Sequence, residues 1–144
     1  MNPERTFIDT NLFLRYLTND LPAQADAVEG LLRQAASGEI LLVTNCMVIA
    51  ELVWTLESFY KLAPGVIQDQ LFATLNTPGL EVEDSDILFQ ALLWYVEKKV
   101  DFIDAYNVAW MQSRAIQTAF TFDRKHFSRF EGLSVRTPGQ ISDH

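Results

Sequence analysis

Arg5-Thr-Phe-Ile-Asp-Thr-Asn-Leu-Phe-Leu14 changes character at its midpoint. Arg5 to Ile8 reads as a short strand with an apolar end. Asp9, Thr10 and Asn11 can each cap a helix, and the apolar Leu12-Phe13-Leu14 follows at once. A strand therefore hands over to a helix at Asp9. The pattern continues downstream. Pro22 suits a first helical turn, and Ala25, Val28, Leu31, Leu32 and Ala35 keep helical spacing until Ser37-Gly38 stops it. Ile40 to Val43 is a short apolar run bounded by turn residues, as in a buried parallel strand. Helices are expected from about Asn45 to Tyr60 and from Pro64 to Asn76, the latter closed by Thr77-Pro78-Gly79. Leu80 to Val82 is expected as a brief strand. Asp84 to Lys99 reads as a helix with acids at its start and lysines at its end, matching its dipole. Asp101 opens the next helix, to about Ile116. Ala119 to Phe122 is a strand ending at Asp123, and Ser134 to Arg136 an edge strand. Strands alternating with helices define an α/β layer fold.

Length and composition set the frame. The 144 residues suit a single domain, 1–144, without repeats or a linker, and 49% hydrophobic content is enough for a core. No apolar run reaches the roughly 18 residues of a membrane span. The start, Met1-Asn-Pro-Glu-Arg5, lacks a basic patch followed by an apolar stretch, so export is not signalled and a cytoplasmic protein is expected. A single cysteine, Cys46, excludes an internal disulfide and a cysteine-rich zinc site, and reads as a core or helix-start residue. The net charge of −8 argues against nucleic acid at first sight. Yet seven of the eleven basic residues lie from Lys98 onward, and metal ions on acids can invert a local field.

The acids carry the chemistry. Asp9 and Asp123 each follow a predicted apolar strand, and ligand crevices of open α/β sheets lie outside the C-terminal strand ends. Each can also be a plain helix cap. Glu51 stands in Met47-Val-Ile-Ala-Glu-Leu-Val-Trp54, and a helix apolar nearly all round is mostly buried. A buried carboxylate needs a partner, a proton, a metal or an opening to a crevice. No Lys or Arg lies within one helical turn, which leaves a distant Arg as the plain alternative. Asp101 and Asp104 lie on one side of a first helical turn. Capping accounts for Asp101 but not for Asp104, so Asp104 is the expected ligand and Asp101 a helper or cap. Four converging acids repel unless a cation joins them, and oxygen ligands without a His or Cys set select Mg2+, with Mn2+ as the other candidate. Such a cation can polarise a phosphodiester for in-line attack. The hydroxyls of Thr10, Thr44 and Thr121 are near these elements in sequence and are candidates to orient water or phosphate.

Four segments together resemble a PIN-domain ribonuclease, and among these a VapC-type toxin of bacterial toxin-antitoxin pairs. They are Phe7-Ile-Asp-Thr-Asn11, Ile49-Ala-Glu-Leu52, Asp101-Phe-Ile-Asp-Ala105 and Thr121-Phe-Asp-Arg-Lys-His-Phe127, in matching order across nearly the whole chain. The resemblance implies a three-layer α/β/α sandwich with a small, mostly parallel central sheet. It implies that Asp9, Glu51, Asp104 and Asp123 form the magnesium site, with Asp9 and Asp104 as metal ligands, Asn11 bracing it and Thr121 lining it. It also implies RNA as substrate, cut to leave a 5′-phosphate and a 3′-hydroxyl, a homodimer, and a small antitoxin protein whose tail enters the groove. After Asp104 the chain reads Ala-Tyr-Asn-Val-Ala-Trp110, bulkier than the Ala-Leu-Ile-Ala-Ala often found in the family, so helix packing there is expected to differ.

Other residues are weighed beside these. Arg124, Lys125 and Arg129 make a basic face after Asp123, suited either to solubility or to gripping RNA phosphates, with Arg124 the substrate-binding candidate. His126, between Lys125 and Phe127 and close to positive charge, is expected on the surface and not as a ligand. His144, at the terminus, is expected to be disordered. Trp54, Trp94 and Trp110 are expected in the core or a dimer interface. A non-catalytic module of the same fold, binding RNA or protein, is the alternative; its mark would be a missing acid, and none is missing. A phosphoacceptor receiver domain fails, because its acidic pair and late lysine are not visible.

Overall fold

The computed structural model of the chain describes residues 3–139; Met1 and His144, on which two of the expectations above rest, lie outside them. Contacts gather the chain into two compact units, the first running up to Ser85 and the second starting at Asp86.

The first unit holds β1 (Arg5–Phe7), α1 (Thr10–Thr18), α2 (Pro22–Ala36), β2 (Leu41–Thr44), α3 (Cys46–Ser58), α4 (Pro64–Leu75) and β3 (Leu80–Val82). Its sheet has the order β1-β2-β3 with both pairings parallel, Thr6 opposite Leu42 and Leu42 opposite Leu80. Parallel neighbours cannot be joined by a tight turn, and each crossover here is a pair of helices. The central strand is the most protected: Leu42 is fully buried, and the buried Thr44 donates its hydroxyl to the Ile8 carbonyl at 3.2 Å. A buried hydroxyl needs such a partner.

The helix ends follow the sequence cues. Asp9 caps α1, its Oδ1 accepting the Thr10 N–H at 2.8 Å. Asn19 closes α1 in the left-handed region (φ 55°), which asparagine tolerates better than most residues, and its N–H reaches the Arg15 carbonyl. Pro22 and Pro64 stand at the starts of α2 and α4, where a missing N–H costs nothing. Asn45 caps α3 by accepting the Val48 N–H at 3.1 Å. At Gly79 (φ 81°) a Cβ would lie 2.1 Å from the carbonyl oxygen of Ala35, so only glycine lets β3 start this close to the end of α2.

The second unit holds α5 (Ser85–Glu97), α6 (Phe102–Ser113), β4 (Thr118–Phe120), α7 (Arg124–Phe127) and β5 (Ser134–Arg136). β4 and β5 pair in parallel, Ala119 opposite Val135, with α7 in the connection. Edge-to-face ring contacts join Tyr95 to Phe102 at 6.0 Å and Trp94 to Phe130 at 5.0 Å. Val108 and Ala109, part of the bulkier run after Asp104, are buried. Arg129 donates to the carbonyls of Lys98 and Lys99, covering acceptors left open by the end of α5.

The α/β class with parallel strands is therefore what the chain adopts. Two local differences stand out. β4 ends at Phe120, so Thr121 and Phe122 lie beyond it and Asp123 sits three residues past the strand, as the cap of α7. And α3, for all its apolar composition, leaves Met47 (79% exposed), Glu51 and Trp54 (67%) open along one stripe. The spacing of four and three residues puts them on a single face, so composition alone overstated its burial. No helix among the described residues is long and apolar enough to cross a membrane.

Candidate metal centre

In the first unit, Asp9 follows β1 at the C-terminal rim of the parallel sheet. Glu51 lies in the second turn of α3, the helix that leaves the same rim after β2. Thr10 ties the two acids together. Its backbone N–H donates to Asp9 Oδ1 at 2.8 Å, and its hydroxyl donates to Glu51 Oε1 at 2.5 Å across 41 residues of sequence. Thr10 itself is buried, while both carboxylates are exposed. Among the described residues, Asp9 Oδ2 and Glu51 Oε2 accept no hydrogen bond. Each acid thus has one oxygen fixed and one open. Glu51 has no ion pair with any described residue, so the distant-arginine alternative is not what its environment offers. An exposed pair of carboxylates aimed by one buried donor is an all-oxygen set of the kind that hard dications take. The residues fit such an ion.

Asn11 is exposed and lines, with Arg15, Gln24 and Leu31, a cavity of about 710 Å³ between α1 and α2. Near it, Asp20 accepts from the Tyr60 phenol and the Thr18 hydroxyl, each at 2.9 Å, with Arg15 at 3.5 Å. The Tyr60 hydrogen bond is the largest cause, the Thr18 bond the next, and together with Arg15 they outweigh desolvation and hold the Asp20 carboxyl below its ordinary 3.8.

In the second unit, Asp101 is at the N-cap position of α6 and Asp104 in its first turn. The expected capping bond from the Asp101 side chain does not form. Its carboxylate lies instead 3.5 Å from His126 Nδ1, and that of Asp104 lies 3.1 Å from the same nitrogen. The His126 side chain is only 14% exposed and that of Asp104 20%. This corrects the expectation that His126 is a surface residue. α7 packs on α6, and this brings the ring onto the two aspartates despite the neighbouring Lys125. Sequence reasoning missed the contact because a helix after Asp123 entered only as the plain capping alternative, and a single turn gives no periodicity that would point the ring inward. The cue available was an aspartate three residues before a histidine, which an N-cap at Asp123 turns inward.

Asp123 is exposed and caps α7, Oδ1 accepting the Lys125 N–H at 3.2 Å, while its own N–H donates to the Thr121 hydroxyl at 3.0 Å. Thr121 therefore holds the loop that carries Asp123. Arg124 and Lys125 are exposed. Arg129, expected in the same basic face, is engaged with the end of α5. Cys46 is half-buried with its thiol toward the Glu83 carbonyl at 3.5 Å, a helix-start residue as expected. Trp110 is 38% exposed with the Arg114 guanidinium 4.7 Å from its ring.

A family model described as PIN domain matches residues 6–133, and the chain belongs to the PIN domain family. Its α/β/α sandwich class, which the sequence motifs implied, comes with that membership. Two solved structures resemble the chain. One is Mycobacterium tuberculosis VapC20, a Sarcin-Ricin loop cleaving toxin, at 23% identity and a TM-score of 0.35, covering 87% of this chain and 94% of that one. The other is VapBC2 from Rickettsia felis bound to a DNA fragment from their promoter, at 15% identity and a TM-score of 0.38, covering 93% and 98%. No curated protein matches the chain significantly.

Proposed function

We propose that this PIN-family chain, acting as one domain over residues 1–144, is a metal-dependent endoribonuclease and the VapC-type toxin of a toxin-antitoxin pair. Asp9, Glu51, Asp104 and Asp123 are its acidic set, Mg2+ its cation, with Mn2+ able to replace it, and Asp9 and Asp104 are direct ligands. The observation that carries the reading is the junction at Thr10, where one buried residue fixes an oxygen of Asp9 and an oxygen of Glu51 and leaves the other oxygen of each open. When bound, the dication lowers the cost of deprotonating a water and stabilises charge on the scissile phosphodiester. The rest falls to the chain's own groups. Thr10 orients the first two acids. Thr121 fixes the turn that presents Asp123. Arg124, exposed one residue further on, steadies an RNA phosphate, and Asn11 braces the site.

The protein acts in the cytoplasm as a homodimer, restrained by a small antitoxin. Purified protein incubated with total RNA, with Mg2+ or with EDTA, tests the activity. Cleavage with Mg2+ that stops with EDTA, and in Asp9→Asn and Asp104→Asn proteins that stay folded, is the expected result. Undiminished cleavage by both variants would overturn it.

A further inference from the structure

Three donor atoms meet at one point of the second unit: a carboxylate oxygen of Asp101, one of Asp104, and an imidazole nitrogen of His126, all within 4.8 Å of one another. The two carboxylates approach the same ring atom, Nδ1, at 3.5 and 3.1 Å, and the backbone N–H of Asp101 faces it at 3.3 Å. A ring nitrogen has one in-plane position, filled either by a proton or by a lone pair. With a lone pair there, Nδ1 accepts the Asp101 N–H but confronts two anionic oxygens. With a proton there, it serves one carboxylate but opposes the N–H. Neither state satisfies every neighbour. A cation on the lone pair satisfies both carboxylates and gives up only the 3.3 Å contact, at a residue whose backbone water can reach.

The imidazole nitrogen in the donor set selects the cation, and two of the spacings suit it. Zinc bonds of about 2.05 Å to nitrogen and oxygen in a tetrahedron put neighbouring donors ~3.3 Å apart. The observed 3.1 and 3.5 Å bracket that edge. Imidazole is a poor ligand for Mg2+ and a good one for the later first-row dications. We propose that Asp101, Asp104 and His126 form a site for a borderline transition-metal dication, Zn2+ above all, chemically distinct from the all-oxygen Asp9–Glu51 pair. Three protein ligands leave a fourth position for solvent or an anionic ligand. Because Asp104 also belongs to the nuclease set, Zn2+ here withdraws it from Mg2+ and inhibits cleavage, a consequence that rests on the nuclease reading, whereas the binding does not.

The test uses the full chain carrying Cys46→Ser, which removes its one thiol, and Co2+ as the probe. One equivalent of Co2+ is expected to give the visible absorption of a four- or five-coordinate, nitrogen-containing site. Zn2+ should abolish the band, and an equal concentration of Mg2+ should not. His126→Ala should weaken Co2+ at least about tenfold. The Asp101 side chain is 70% exposed, so Asp101→Asn leaves packing intact and supplies the control if His126→Ala unfolds; it too should weaken the band. Absence of a one-equivalent band, or equal binding by wild type and Asp101→Asn, overturns the proposal. Mg2+-dependent cleavage without the Co2+ band sinks the zinc site and spares the nuclease; the band without cleavage does the reverse.

Discussion

The two units treat their acids differently. In the first, Asp9 and Glu51 are held by a neutral, buried threonine that donates to both, and the carboxylates stay exposed with open oxygens. In the second, Asp101 and Asp104 are gathered by an imidazole that can donate, accept or bind metal, and Asp104 is largely covered. A hydroxyl fixes geometry without changing the donor set. A histidine joins the donor set and changes which cation it suits. Two acidic pairs that look alike in composition are thus unlike in chemistry.

That contrast can be broken most directly at Asp9. Asp9→Asn keeps the cap on α1, because an asparagine oxygen accepts the Thr10 N–H as well, but removes the charge. Cleavage of RNA with Mg2+ should fall by about 1,000-fold or more with little change in melting temperature. A variant that melts early instead would reduce Asp9 to a structural cap. Next in size is the scaffold of the first unit. Gly79→Ala places a methyl on the Ala35 carbonyl in a backbone region that disfavours side chains, and should cost about 3 kcal/mol or more in a denaturant titration. An unchanged midpoint would mean that β3 and the end of α2 are free to separate.

Thr10→Val sharpens the comparison further. It keeps the shape and the backbone donor to Asp9 but deletes the hydroxyl that aims Glu51. Mg2+ affinity should drop by about 10–100-fold, measured by calorimetry, while Zn2+ binding in the second unit is untouched. Parallel loss of both metals would show that the pairs are not chemically separate.

The smallest effect expected is at Asp20. Its folded carboxyl is held below 3.8, so between that lowered value and 3.8 the unfolded chain binds the extra proton. The stability contributed is complete above 3.8 and is lost as pH falls through the folded value. Tyr60→Phe deletes the largest cause, so the Asp20 titration followed by NMR should move up toward 3.8. No movement would assign the shift to Thr18 and Arg15 instead.

Much of this architecture was legible from one-dimensional cues. Pro22, Pro64, Asn45 and the Gly79 turn mark the ends they were expected to mark, because capping and φ restriction act within a few residues. The alternation of short apolar strands with helices gave the parallel α/β class. Where reading failed, it failed for a reason. α7 is four residues long, too short for periodicity to register. Burial of α3 was misjudged because a helix rich in apolar residues can still leave one face uncovered, and Met47, Glu51 and Trp54 share that face.

Taken alone, then, the order of residues settled the element types apart from α7, the placement of Asp9 at a strand-to-helix junction, and the identity of the acids worth testing. Only the packed chain decided which neighbour each acid has. Thr10 meets Glu51 across 41 positions and Asp104 meets His126 across 22. Such contacts depend on how whole helices settle against one another, a choice made by side-chain packing over many residues and written in no local pattern.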